Sequence, residues 1–331
     1  MKKFLRITGI VVLLLIIALV ALPFAFKGRI VEEVKKAAND NLNAQFDFKD
    51  LSLSLFSNFP QLTVDIDGLS LLGVDTFQDL PLFTADEVSL TVDIMSLFGD
   101  TIAIREISLE NPFIQALVLA DGSANYDIAK TAADADSADV SADNGGGFAM
   151  KVRNYSISNG TIIYDDATFP MRLEMLGTDH NGSGDFEATN FTLSTQTSST
   201  SVTMDYDGVR YINAAGADLK ADLGIDLDAF KFTFKENELK LNELNLKADG
   251  WLAMPADDID MDMTFSTPET DFKALLSMVP AEFAKDLSQV DVSGSMSLSG
   301  YVKGTYNETV LPGFGVDMKV ENGRFKYPDL P

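Results

Sequence analysis

From Gln45 to Tyr327 apolar and polar residues alternate with a period of two, and no other feature restricts the possible folds of this chain so strongly. The pattern runs through Phe46 and Phe48, then Leu51, Leu53 and Leu55, then Leu62, Val64 and Ile66, then Val88, Leu90, Val92 and Ile94. Successive side chains of a β-strand point to opposite faces, so strict alternation predicts strands with one apolar and one wet face. Asp67-Gly68, Gly99-Asp100 and Asp207-Gly208 supply turn residues between such runs. No long helical stretch is present to carry a parallel crossover, and mainly antiparallel pairing is expected.

The same design continues in Tyr155 and Ile157, Phe191 and Leu193, and Val202 and Met204. It goes on through Leu223 and Ile225, through Phe230, Phe232 and Phe234, and through Leu239, Leu241 and Leu246, to Met261, Met263 and Phe265. The exception is Asp271 to Leu287, where Phe272, Leu275, Leu276, Met278, Val279, Phe283 and Leu287 follow helical spacing around Pro280 and predict a helical insertion. Thr131 to Gly147 is acidic and lacks large apolar residues, which predicts a flexible loop.

Ahead of the β-pattern, Ile7 to Phe26 carries no charge over twenty residues. As a helix it would span ~30 Å, the thickness of a bilayer's hydrocarbon core. A cleaved secretory signal is the competing reading, since Lys2, Lys3 and Arg6 precede the run. Signals have shorter apolar regions ending at small residues, whereas Leu22, Pro23, Phe24 and Phe26 lead straight into Lys27 and Arg29. A retained anchor is expected, with Ile7, Leu14 and Phe26 in the membrane and a cytoplasmic N-terminus favoured by the three leading cations. Ile30 to Leu42 places Ile30, Val31, Val34, Ala37, Ala38 and Leu42 at helical spacing. This amphipathic helix should lie at the membrane interface or plug one end of the β-structure.

The chain has 25 basic and 50 acidic residues, and seven of the basic ones lie before Ala37 beside only Glu32 and Glu33. The remainder keeps 18 basic against 48 acidic residues, a net charge of −30. Such a surface repels phosphate backbones and excludes nucleic acid as a partner. With 46% hydrophobic and 10% aromatic residues the body has enough apolar mass to fold. No cysteine is present, which removes disulfides and thiolate metal sites.

Catalytic signatures are absent: there is no G-x-S-x-G, no phosphate loop, and no G-x-G-x-x-G opening a helix. The lone histidine, His180, stands in Asp179-His180-Asn181-Gly182-Ser183-Gly184 and reads as an exposed turn residue rather than a ligand or base. Asp257, Asp258, Asp260 and Asp262 offer oxygen ligands, but their alternation with Ile259, Met261 and Met263 reads as the wet face of a strand. Trp251 reads as a packing residue at a strand start. No catalysis, cofactor or metal is expected. What remains is collective, a long series of strands sharing an apolar face. Periodicity fits equally a two-sheet sandwich that buries those faces and one long sheet curled into an apolar groove.

Several stretches carry a family likeness. They are Phe46-Asp47-Phe48 leading to Leu51-Ser52-Leu53-Ser54, Phe59-Pro60, Ala85-Asp86-Glu87-Val88-Ser89-Leu90, and Asp121-Gly122-Ser123-Ala124-Asn125-Tyr126-Asp127. With the N-terminal anchor, and with Ile157-Ser158-Asn159-Gly160-Thr161-Ile162 and Glu321-Asn322-Gly323-Arg324-Phe325, they resemble the AsmA family of envelope proteins. Asn125-Tyr126 stands where members often have Asn-Trp. The resemblance implies a bacterial inner-membrane protein with a periplasmic, repeating β-groove related to bridge-like lipid transfer proteins, and a role in moving phospholipid toward the outer membrane. It also implies the N-terminal part of a longer member.

The expected organisation is a cytoplasmic tip (1–6), a transmembrane helix (7–26), a juxtamembrane helix (27–44), a first groove segment (45–130), the acidic loop (131–147) and a second groove segment (148–331). The expected groove lining is Leu62, Val64, Ile66, Val88, Leu90, Val92, Leu223, Ile225, Phe230, Phe232, Phe234, Leu239 and Leu241. Expected partners are phospholipid or another acyl-chain lipid and the inner membrane. The alternative is an anchored scaffold that binds outer-membrane assembly proteins through the acidic loop or an open sheet edge.

Overall fold

The computed structural model describes residues 27–29, 31–54, 61–96, 102–130, 148–149, 152–186, 188–255, 258–271, 274, 291–307 and 309–326. The apolar run of residues 7–26, the acidic stretch 131–147, and the helical insertion apart from Asp271 and Ala274 lie outside them. Among the described residues no helix is long and apolar enough to cross a membrane.

Sixteen strands form one sheet. They are β1 (Gln45–Asp47), β2 (Asp50–Ser54), β3 (Gln61–Leu72), β4 (Pro81–Asp93), β5 (Ile102–Glu110), β6 (Phe113–Val118), β7 (Phe148–Ala149) and β8 (Asn154–Asp166). The second half adds β9 (Met171–Ser183), β10 (Asn190–Tyr206), β11 (Val209–Asp226), β12 (Lys231–Leu241), β13 (Leu244–Ala253), β14 (Ile259–Asp271), β15 (Asp291–Tyr306) and β16 (Gly313–Lys326). From β9 to β16 each strand pairs antiparallel with its predecessor.

The sheet is mixed: pairing is mainly antiparallel, as expected, with a parallel join in its first half. β5 and β6 lie end to end, separated where Asn111 takes a left-handed φ of 47° and Pro112 has no N–H to donate. Both run parallel to β8, and β7 runs parallel to β5. The connection from β6 to β8 is residues 119–153, of which 119–130, 148–149 and 152–153 are described. Its described part is tied down by Asn125, which is 3% exposed. That side chain accepts the Leu117 N–H at 2.8 Å and donates to the Gln115 carbonyl at 2.8 Å, so an amide replaces a missing strand neighbour.

Residues 27–29 and 31–41 are helical. The helix lies against the first strands: Val31 packs on a cluster of Phe48, Leu51, Ile66, Leu69, Ala85 and Val88. Lys35 pairs with Asp47 at 2.6 Å and sits over the Phe48 ring, and Lys27 pairs with Asp50 at 2.7 Å. Asn39 accepts the Phe46 N–H and donates to the Phe46 carbonyl, which fixes the helix end to β1. The amphipathic segment thus covers the beginning of the apolar face.

Bulges crease the middle of the sheet. Asn159 on β8, Gly177 on β9 and Ala214 on β11 have φ of 52°, 54° and 49° and lie close together across neighbouring strands, beside register shifts in the β8–β9 and β10–β11 ladders. A bulge bends its strand and increases the local twist, so neighbouring bulges bend the sheet. Buried side chains gather at this line: Thr178 is 0% exposed, Ala215 1% and Ser199 4%. Thr178 and Ser199 satisfy each other by a hydroxyl hydrogen bond of 2.9 Å.

Candidate functional site

The ladders carry one apolar face across both halves of the sheet. Directly opposed residues form a rung of Leu51, Ile66, Val88, Leu109, Ile157, His180, Thr197, Leu219, Leu239 and Leu246, from β2 to β13. A second rung, Leu193, Leu223, Phe234, Gly250, Met263, Val302 and Phe314, continues the face to β16. The opposite face is as consistently polar. Its rung is Ser52, Asp65, Ser89, Ser108, Ser156, Asn181, Gln196, Lys220, Glu238, Lys247, Ser266, Ser299 and Asp317.

All the described strands belong to one laterally paired sheet, so among the described residues there is no second sheet to lie over the apolar face. This separates the two architectures that periodicity left level: a sandwich would stack one apolar face on another. Near the helix the face is covered, and Leu62, Ile66, Val88 and Val92 are buried. Farther on it is half-open, and Leu219, Leu223, Phe232, Phe234, Leu239, Leu241 and Leu246 all keep solvent contact.

The expected lining residues fall on this face with one difference. Leu62 opposes Val92 and Val64 opposes Leu90, while Ile225 opposes Phe232 and Leu241 opposes Leu244. Phe230 instead lies in the turn 227–230 with a φ of 47°, is 46% exposed, and meets Phe232 edge-on at 5.7 Å. It belongs to the rim. The period-two count that included it ran through a turn whose residues no longer alternate.

His180 is not the exposed turn residue that its Asn- and Gly-rich surroundings suggest. It lies inside β9 on the apolar face, opposite Ile157 and Thr197. Its Nδ1 is 2.7 Å from Thr197 Oγ1, its Nε2 is 3.3 Å from Thr195 Oγ1, and its ring lies 5.1 Å from that of Tyr155. Burial holds its pKa below the ordinary 6.5, which favours the neutral imidazole. Burial likewise pushes the Tyr155 phenol up, opposed by its hydrogen bond with Thr195. Sequence reasoning missed this group. The usable signal was that Thr195, Thr197 and Ser199 keep the parity of Phe191 and Leu193, with hydroxyls in place of hydrocarbon.

Of the remaining candidates, Asp257 lies outside the described residues, and Asp258 accepts from Asn307 Nδ2 at 2.9 Å. Asp260 and Asp262 lie on β14, where Asp260 accepts from Thr305 Oγ1 at 2.5 Å and Asp262 pairs with Lys303 at 2.6 Å. Among the described residues no acidic or histidine cluster could hold a metal ion. Trp251 opposes Asp262, on the polar face, with Lys231 Nζ 4.3 Å from its ring centre. Asp165, Arg172, Asp205 and Arg210 form a charge-alternating rung near the β10–β11 turn. There Arg210 holds the Asp205 carboxyl below the usual range by a two-pronged contact of 2.8 and 3.1 Å.

A family model described as the AsmA family matches residues 1–278. The chain belongs to the AsmA family. No curated protein and no solved structure matches it. For this AsmA-family chain, membership is consistent with an envelope-associated protein, and the match extends over the helix, the covered end of the face and the crease. Among the described residues of that span the geometry offers a one-sided apolar surface.

Proposed function

We propose that this chain is an inner-membrane-anchored, periplasmic lipid carrier that takes up phospholipid acyl chains on its apolar face and passes them toward the outer membrane without catalysing a reaction. The observation that carries this reading is the apolar face itself, continued from strand to strand over the sheet and half-open in its second half. A fully buried Leu or Phe contributes ~2 kcal/mol, so seven half-open large side chains leave on the order of 7 kcal/mol of burial to a ligand. That amount is comparable to the whole stability of many domains. Acyl chains match the demand, being long, flexible and uncharged along their length. The neighbouring bulges supply the bend that would curl the sheet into a groove around them.

The anchor Ile7 to Phe26 then has a clear use. It holds the helix-covered end of the face at the membrane, and the polar rung keeps the other side in water. The test is the lipid content of the full chain purified from a lipid-containing host. Acyl lipid co-purifying by mass spectrometry, together with protection of a bound fluorescent fatty acid, supports the carrier. Absence of both sinks it.

A second reading, a scaffold for an outer-membrane assembly protein, is favoured by β16. Among the described residues this strand pairs only with β15, and Phe314 and Met318 are 76% and 59% exposed. Lysine at both positions should abolish a scaffold's capture of its partner, and capture that survives counts against this reading.

A further inference from the structure

Two adjacent strands interrupt the apolar face with a patch of uncharged polar groups. We propose that this patch binds the ester or hydroxyl oxygens of an acyl lipid while the chains lie on the apolar residues around it. The inference rests on the carrier function proposed above and specifies which part of the ligand this stretch takes.

On β9 the positions facing this side are Thr178, His180 and Gly182, and on β10 they are Thr195, Thr197 and Ser199. Hydrocarbon surrounds them, with Ile157 on β8, Leu219 and Leu223 on β11, and Leu193 and Val202 farther along β10. Folding does not require this composition. Valine at 195 and 197 would keep the β-branched backbone preference and continue the stripe, so the hydroxyls are what the threonines add.

The patch has two parts. Thr178 and Ser199 are buried and satisfy each other at the crease. His180, Thr195, Thr197 and Tyr155 are only partly buried, and the first three form a chain. Thr197 meets Nδ1, Thr195 meets Nε2, and the Tyr155 ring lies 5.1 Å from the imidazole. With a neutral imidazole, His180, Thr195 and Thr197 carry three polar protons, yet two contacts join them. Whichever tautomer is present, one donor is left over within the chain and needs an oxygen from outside. The Tyr155 ring lies against Gly182, where a Cβ would come 2.3 Å from its Cζ, so the ring rests on bare backbone beside the imidazole.

The chemistry of the patch selects the ligand group. It contains no cation, so a phosphate or carboxylate placed there would be desolvated without a counter-charge. A carbonyl or hydroxyl oxygen can take the surplus proton at no such cost. An ether oxygen is a poorer acceptor, and a hydrocarbon is none.

The test uses the full chain with a bound fluorescent fatty acid, displaced in turn by an ester-linked diacylglycerol and by its ether-linked counterpart. For the wild type the ester should displace the probe at a concentration about fivefold lower than the ether, a factor expected for one net hydrogen bond. The double variant Thr195→Val with Thr197→Val should bring the two ligands together while still holding the probe. Equal potency of ester and ether on the wild type, or discrimination that survives in the double variant, overturns the proposal and leaves the carrier reading standing. If the wild type holds no probe at all, both readings fall. Should the double variant misfold, His180→Leu with the same pair of ligands decides the question by the same criterion.

Discussion

His180 shows how the fold assigns chemistry to a side chain. Its pKa is depressed by burial, so the neutral form is favoured in the folded chain. The corresponding stability is fully present above the ordinary value of 6.5 and is lost as pH falls through the lower folded value. His180→Gln should flatten the dependence of the urea midpoint on pH between about pH 8 and 5, whereas an unchanged slope would place the titration elsewhere. Gly250 is constrained by backbone. Its φ is 128°, and a Cβ would stand 2.1 Å from the Asp262 carbonyl oxygen. Gly250→Ala should cost about 3 kcal/mol in denaturant unfolding. Gly208→Ala, in a turn with open space around the α-carbon, should cost only about 1 kcal/mol.

Strands and their connections follow different rules of legibility. β3, β4, β11 and β12 could be read from alternation because their in-facing positions are Leu, Val, Ile and Phe. β9 could not, nor could β10 between Leu193 and Val202, since hydroxyls and glycine replaced hydrocarbon at the same parity and the period lost its contrast. The parallel join of β5 and β6 to β8 was also hidden, because alternation records which face a residue takes and not which strand lies beside it. That join depends on the loop held by Asn125. Asn125→Ala should cost about 2 to 3 kcal/mol by leaving the Leu117 N–H and the Gln115 carbonyl without their partner. Faster hydrogen exchange at Leu117 would locate the loss, and an unaltered exchange rate would show that the loop is held by other contacts.

Across the molecule, function should track the face of the sheet rather than position along the chain. Phe234→Glu or Leu239→Glu puts a carboxylate on the apolar face and should lower co-purifying lipid about tenfold, given the cost of burying a charge among hydrocarbon. Lys220→Glu changes charge on the polar rung and should leave the lipid content unaltered. Mass spectrometry of the three proteins, with circular dichroism to confirm that β-structure is kept, separates these outcomes. Equal loss in all three would point to surface charge and away from an apolar path.

Alternation alone was enough to establish a β-protein with two unlike faces, because side-chain direction in a strand is a local property with a period of two. Composition was enough to argue against nucleic acid as a partner, because net charge needs no coordinates. Whether the apolar faces meet each other, and whether His180 lies in a turn or among threonines, depended on strand pairing, bulges and the helix over the first strands. Those are set by contacts between residues distant in the chain, and a period read along the chain carries no record of them.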